Sequence, residues 1–269
     1  MNRLLYGGII CISLFLSCSS HLFSANIDTI NFYSKLLKRN AKFLLITPDS
    51  YNSEKDLPVL YLLHAYGVGH LNIHANFPYL EEFADKNEII LVCPNALRKS
   101  WYINSEKDKG HAYEDYFINE LLPLISSNYS NTDKVGIAGI SMGGYGALRF
   151  ASIHPNYFIY ACGISALIDP RLHYEKFSIS ELFNSPDEIE YWKDHDLSLL
   201  LQNSDSNTSY SLYCGFKDPF YKENVRMCDK LESTHLDLDC KFDEGGHNWD
   251  YWQLNLKKAV DEFSRVLKE

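Results

Sequence analysis

Five short apolar runs restrict the fold of this chain more than any other feature. They span residues 59–63, 89–93, 135–138, 158–162 and 211–214, and turn residues bound each of them. Unbroken apolarity over four or five residues suits strands buried on both faces, as in a parallel sheet. Helical patterns separate the runs. One extends from about Tyr113 to Tyr129, with Tyr116, Phe117, Leu121, Leu124 and Ile125 at helical spacing and a kink predicted at Pro123. Others follow Gly143, run from about Tyr221 to His235, and run from Trp249 to Leu267 with Trp252, Leu256, Ala259, Val260 and Phe263 on one stripe. Strands alternating with helices predict an α/β fold with a mostly parallel central sheet and helices on both faces. Residues 236–242 alternate polar and apolar, as a half-exposed edge strand does. Residues 26–56 read as an antiparallel hairpin on the sheet edge. Residues 170–208 break the alternation and read as an insertion, either a cap over a site or surface decoration. Residues 26–269 are thus expected to form a single domain, a length one core can still organise.

Ahead of that domain, Arg3 is followed by 13 uncharged, mostly apolar residues from Leu4 to Leu16. That is too short to span a membrane and suits an export signal over residues 1–17. The stretch Phe15-Leu16-Ser17-Cys18 resembles a bacterial lipobox, in which the Cys is acylated. The expected location is therefore periplasmic or cell-surface, with membrane association only through a lipid on Cys18 and free secretion as the alternative. The formal net charge of −10 disfavours nucleic-acid binding, which needs clustered positive charge. The seven Cys form no CxxC pair and no zinc-ligand spacing. Cys93, Cys162, Cys214 and Cys240 lie in or beside strand-like runs and read as buried small hydrophobes, although an exported chain can pair some of them. His70 and His74 stand four residues apart without a supporting carboxylate pattern, so no metal site is expected.

The chemistry concentrates at Gly139-Ile140-Ser141-Met142-Gly143, a G-x-S-x-G pattern directly after one strand and before a helix. At such a turn a serine hydroxyl is exposed at a helix N-terminus, where the next N–H faces a developing oxyanion. A nucleophilic Ser141 needs a base, and the base needs an orienting carboxylate. Asp218 follows a strand and turns, and His247 lies on the loop Gly245-Gly246-His247-Asn248-Trp249 before the last helix. Asp243 and Glu244 are the nearest rivals to Asp218. The loop His64-Ala65-Tyr66-Gly67 after the strand at 59–63 offers a second oxyanion donor, the backbone N–H of Tyr66, beside that of Met142. His64 is expected to order this loop by hydrogen bonding.

These motifs, with Ser100-Trp101-Tyr102, resemble the putative-esterase family of α/β-hydrolases over about residues 40–269. That family includes S-formylglutathione hydrolases, tributyrin esterases, and feruloyl and acetylxylan esterases of carbohydrate esterase family one. The resemblance implies an α/β-hydrolase fold, Ser141 as nucleophile, Asp218 as acid, His247 as base, and Tyr66 and Met142 as oxyanion donors, without a cofactor. It also places Trp101 and Tyr102 near the site; Trp249 is a further candidate for substrate contact. Ala65 departs from the family, which has Gly there, and an Ala tolerates fewer backbone conformations. The expected activity is that of an exported serine esterase acting on short acyl esters or on acetyl or feruloyl side-chain esters of polysaccharides. The alternatives are a thioesterase of the S-formylglutathione hydrolase type, an acyltransferase, and a non-catalytic carbohydrate-binding or surface-interaction protein. The sequence leaves the oligomeric state open.

Overall fold

In the run at 59–63, Val59, Tyr61 and Leu63 pack into one hydrophobic core and Leu60 and Leu62 into another, on the opposite face of the sheet. Both faces are covered, which is why the strand has no polar residue. The computed structural model describes residues 25–204 and 207–269; the leader at 1–17 and Cys18 lie outside them. Eight strands form one sheet: β1 (Asn26–Ser34), β2 (Arg39–Thr47), β3 (Val59–Leu63), β4 (Ile90–Pro94), β5 (Val135–Ile140), β6 (Tyr160–Ile164), β7 (Ser209–Gly215) and β8 (Leu238–Asp243). Their order is β1-β2-β4-β3-β5-β6-β7-β8. β1 and β2 form the antiparallel edge hairpin, and every pairing from β4 through β8 is parallel. The mostly parallel α/β sheet expected from the alternation is therefore present, with the half-exposed strand β8 at its far edge.

The helices are α1 (His70–Asn76), α2 (Leu80–Asn87), α3 (Tyr113–Tyr116), α4 (Leu122–Asn128), α5 (Met142–Ile153), α6 (Ile179–Leu182), α7 (Ile189–Lys193), α8 (Leu197–Gln202), α9 (Tyr221–Leu231) and α10 (Trp249–Val266). α2 and α10 bury apolar residues in one core, and α4, α5, α8 and α9 in the other. Two of the differences from the reading of the sequence have a local cause. The fourth strand starts later than residue 158 and runs through Gly163 and Ile164, because these pair with Gly139 and Ile140 of β5. Glycine adds nothing to an apolar run, so that end was invisible. Near Pro123 the helix departs from regular α geometry: Phe117–Leu121 forms a π-turn in which the Leu122 N–H donates to the Phe117 carbonyl, and Pro123 follows in the first turn of α4.

The pairing that the sequence left open for the strand-associated cysteines is seen at one of them. Cys93, Cys162 and Cys214 are free and buried, but Cys240 of β8 is bonded to Cys228 of α9. Cys240 sits on an edge strand, on a side covered by α9, so a partner thiol on that helix can reach it. The 170–208 segment supplies a 3-10 turn and the short helices α6, α7 and α8 between β6 and β7.

Candidate active site

The loops that leave the C-terminal ends of β3, β5, β7 and β8 converge. Ser141 occupies the turn between β5 and α5 with φ 56° and ψ −112°, a strained conformation for a residue with a side chain. The crossing is tight. A Cβ on Gly139 would stand 2.1 Å from the Gly143 carbonyl oxygen, and one on Gly143 would stand 2.2 Å from that of Leu63. Only glycine at both positions lets α5 start against the end of β3 and hold the serine hydroxyl outward.

Asp218 sits in the turn after β7, where its N–H donates to the Gly215 carbonyl (2.9 Å) and its Oδ1 accepts the Phe220 N–H (2.9 Å). Its side chain is completely buried, and Oδ2 lies 2.9 Å from His247 Nδ1. His247 Nε2 lies 3.0 Å from Ser141 Oγ. A buried carboxylate accepts only, so Nδ1 carries the proton and Nε2 is left to accept from the serine hydroxyl. The imidazole is held between two aromatic edges, Phe220 and Trp252, with ring centroids 5.1 and 4.9 Å away and nearly perpendicular. The rivals to Asp218 are engaged elsewhere: Asp243 with Lys258 (3.0 Å) and Glu244 with Lys217 (3.2 Å).

A cavity of about 220 Å³ opens over Ser141 and His247. Tyr66, Trp101, Leu167, Phe177, Phe220 and Trp252 supply most of its wall, so it is largely apolar and aromatic. The N–H groups of Tyr66 and Met142 donate to no acceptor among the described residues. Ala65 is buried and has no positive φ, so the loop does not need the glycine its position resembles. His64, fully buried, orders that loop as expected. Its Nδ1 lies 2.9 Å from the Ala65 carbonyl and its Nε2 accepts the Ala96 N–H at 2.9 Å. Burial lowers its pKa to about 4, which keeps the ring neutral and able to accept.

Trp101 lines the cavity, and its indole N–H donates to the Phe177 carbonyl (2.9 Å). Tyr102 does not. It is buried behind the site, its hydroxyl donating to the His64 carbonyl (3.0 Å) and its ring under α5, where a Cβ on Gly146 would come within 2.6 Å. Trp249 is also displaced from the cavity; it packs on Phe77 and Trp252, and Trp252, one turn along α10, takes the position facing His247. Trp252 read only as part of the core stripe of its helix. Phe177 and Phe220 carried no signal at all, because one lies in the insertion and the other beyond the Asp218 turn. His74 pairs with Glu81 (2.9 Å), and the described residues contain no cluster of three metal-ligating side chains.

Known proteins resemble this chain over most of its length. The family model described as putative esterase matches residues 34–263. An acetyl esterase of Caldicellulosiruptor saccharolyticus is 27% identical over 265 residues, covering 88% of this chain and 97% of that protein. Among solved structures, the fluorophosphonate-binding serine hydrolase F of Staphylococcus aureus superposes with a TM-score of 0.79 at 25% identity, over 89% of this chain and 98% of that one. An S-formylglutathione hydrolase from the same species gives 0.78 at 24% identity, over 90% and 99% of the two chains.

Proposed function

This chain belongs to the putative esterase family and is an esterase of the serine-hydrolase type, and from that premise we propose that it hydrolyses short-chain acyl esters through Ser141, His247 and Asp218. One observation carries the assignment: the continuous hydrogen-bonded line from Ser141 Oγ through His247 to the buried Asp218 carboxylate, at 3.0 and 2.9 Å. Ser141 Oγ attacks the ester carbonyl carbon while its proton passes to His247 Nε2. The oxyanion that forms is met by the unpartnered N–H groups of Met142 and Tyr66. Collapse breaks the bond to the alcohol, which leaves with the proton from Nε2, and the acyl group stays on Ser141. Water then loses a proton to His247, attacks the acyl carbon and releases the acid. Asp218 remains ionised throughout and stabilises the imidazolium.

The enclosed aromatic wall of the 220 Å³ cavity suits a small acyl group such as acetyl. The relative named an acetyl esterase supports the same reading, and acetyl side chains of polysaccharides are substrates of that size. An oxidising destination is supported by the Cys228–Cys240 disulfide, in line with an export leader and a lipid on Cys18. The test is hydrolysis of p-nitrophenyl acetate, butyrate and octanoate by the wild type and by Ser141→Ala. Turnover should fall along the series, and Ser141→Ala should lose it by about six orders of magnitude, as nucleophile removal does in a comparable hydrolase. Hydrolysis of none of the three, or more than a few per cent retained by a pure Ser141→Ala sample, would sink the proposal.

A further inference from the structure

A second cavity, of about 340 Å³, begins at Gly67, the residue after Tyr66, and is walled by Val68, His70, Asn72, Asn95 and Arg98 among others. Among its side chains, Arg98 and the Asn72 and Asn95 amides offer N–H donors. The Asn72 Oδ1 accepts the Gly69 N–H (2.9 Å) and the Asn95 Oδ1 accepts the Leu97 N–H (3.2 Å). These bonds fix the orientation of both amides, and their NH₂ groups donate to no acceptor among the described residues. Arg98 forms no ion pair among the described residues, and no carboxylate lines the cavity. Lys42 adds positive charge: its carbonyl accepts the Asn95 N–H (3.0 Å), and its ammonium adds to burial in lowering the pKa of His70. His70 is buried, and its Nε2 lacks a partner. In a chain of net charge −10, this is a locally cationic, donor-rich recess.

The recess also adjoins the candidate active site along the chain, since Gly67 follows Tyr66, which lines the aromatic cavity. The Gly67 N–H donates to the Arg98 carbonyl (2.7 Å), and Arg98 Nε donates back to the Gly67 carbonyl (2.9 Å). Leu97 and Arg98 both hold positive φ, 55° and 64°, a costly conformation for two successive residues with side chains. The Arg98 guanidinium is thus presented at a set position, one residue from the Tyr66 N–H. On the reading proposed above the aromatic cavity takes the acyl group, and a ligand beside Gly67 would then belong to the other half of the ester.

We infer that this recess binds a carboxylate carried by the alcohol half of the ester, held by Arg98 and the Asn72 and Asn95 amides, so that the preferred substrates are acyl esters of acidic alcohols, acidic sugars among them. The inference rests on the esterase reading above. Two esters differing by one charge test it: 4-acetoxybenzoate and its methyl ester. The readout is the ratio of their kcat/KM values, each variant compared with the wild type, which cancels intrinsic reactivity and any general loss of activity. Removing a charge-assisted contact should lower the ratio about tenfold in Arg98→Ala, through KM. Arg98→Lys should restore part of it, and Lys42→Gln, which breaks no side-chain hydrogen bond, should lower it by a smaller factor that vanishes at high salt. An unchanged ratio in both Arg98→Ala and Lys42→Gln overturns the inference and leaves the esterase assignment standing. Failure of the wild type to hydrolyse either ester overturns both.

Discussion

At the scale of single residues, the site depends on where each hydrogen-bonding atom is already committed. Asp218 presents one oxygen to the Phe220 N–H and the other to His247, so its carboxylate is fully used and can hold only one imidazole tautomer. Asp218→Asn preserves shape but offers an amide in place of an acceptor pair, and turnover should fall roughly 10⁴-fold, the cost seen in the best-known serine triad. Asp243→Asn, whose carboxylate is paired with Lys258, should stay within a few-fold of wild type; the reverse pattern in p-nitrophenyl acetate kinetics would mean that the acid is misassigned. That Ser141, Asp218 and His247 were legible in sequence follows from local chemistry: each lies in a turn after a strand with a glycine within three residues. Tyr102 and Trp249 were read as substrate contacts because they share motifs with site residues. The direction of a side chain depends instead on what packs behind it, here Gly146 for Tyr102 and Phe77 for Trp249.

At the scale of elements, the disulfide joins the two pieces that carry the acid and the base. α9 begins just after the Asp218 turn, and β8 leads into the His247 loop; Cys228 and Cys240 bond them across 12 residues of sequence. A loop of about that size stabilises by roughly 3 kcal/mol through the unfolded chain, so reduction or Cys228→Ser should lower Tm by about 6–12 °C. Calorimetry with and without reductant checks this; an unchanged Tm would place the bond outside the cooperative unit. A second tie fastens α3 to α5. Glu114 accepts from Arg149 (2.5 Å) and pairs with His154 (3.2 Å), with both partners of the Arg149 pair largely buried. Arg149→Met would strand the Glu114 carboxylate and should cost about 3–5 kcal/mol in urea unfolding; a loss below 1 kcal/mol would show that Glu114 finds another partner. Neither tie was legible in the sequence, since each joins residues whose proximity is decided by sheet order.

For the whole molecule, buried histidines set the response to acid: burial lowers the pKa of His70 and His111 as well as that of the two most strongly shifted, His64 and His195. Burial lowers His64 to about 4, and burial with the nearby Arg149 charge lowers His195 to about 3. Both lie below the 6.5 of an exposed histidine, so the unfolded chain binds more protons as pH falls, and stability is lost from about pH 6.5 downward. For Glu114, burial favours the neutral acid, but the His154 hydrogen bond and the Arg149 charge outweigh it and bring the carboxyl to about 2. Its contribution is present above 4.5 and fades only as pH drops toward 2. Urea midpoints should therefore fall between pH 7 and pH 5; a flat profile over that range contradicts the assigned neutral histidines. The sheet register also orients the chain. Asn26 pairs with Thr47, and Ile46 pairs with Leu91 near the start of β4, so the described chain enters at the edge opposite the loops that carry Ser141, Asp218 and His247. Cys18→Ala should move the protein from the membrane to the soluble fraction with its specific activity on a soluble ester unchanged, and mass spectrometry of the mature N-terminus reads the lipid directly.

The sequence by itself determined what depends on near neighbours in the chain. Buried strands announce themselves by unbroken apolarity, helices by their stripe, and the serine turn by glycines that steric crowding demands. The tertiary structure alone decided which distant groups meet: Cys228 with Cys240, Trp252 with His247, and Arg98 with Gly67. Those pairings depend on how strands are ordered and how loops fold over the sheet edge. Many sequences satisfy the same local patterns while differing in these contacts, so the walls of the two cavities became readable only once the loops were in place.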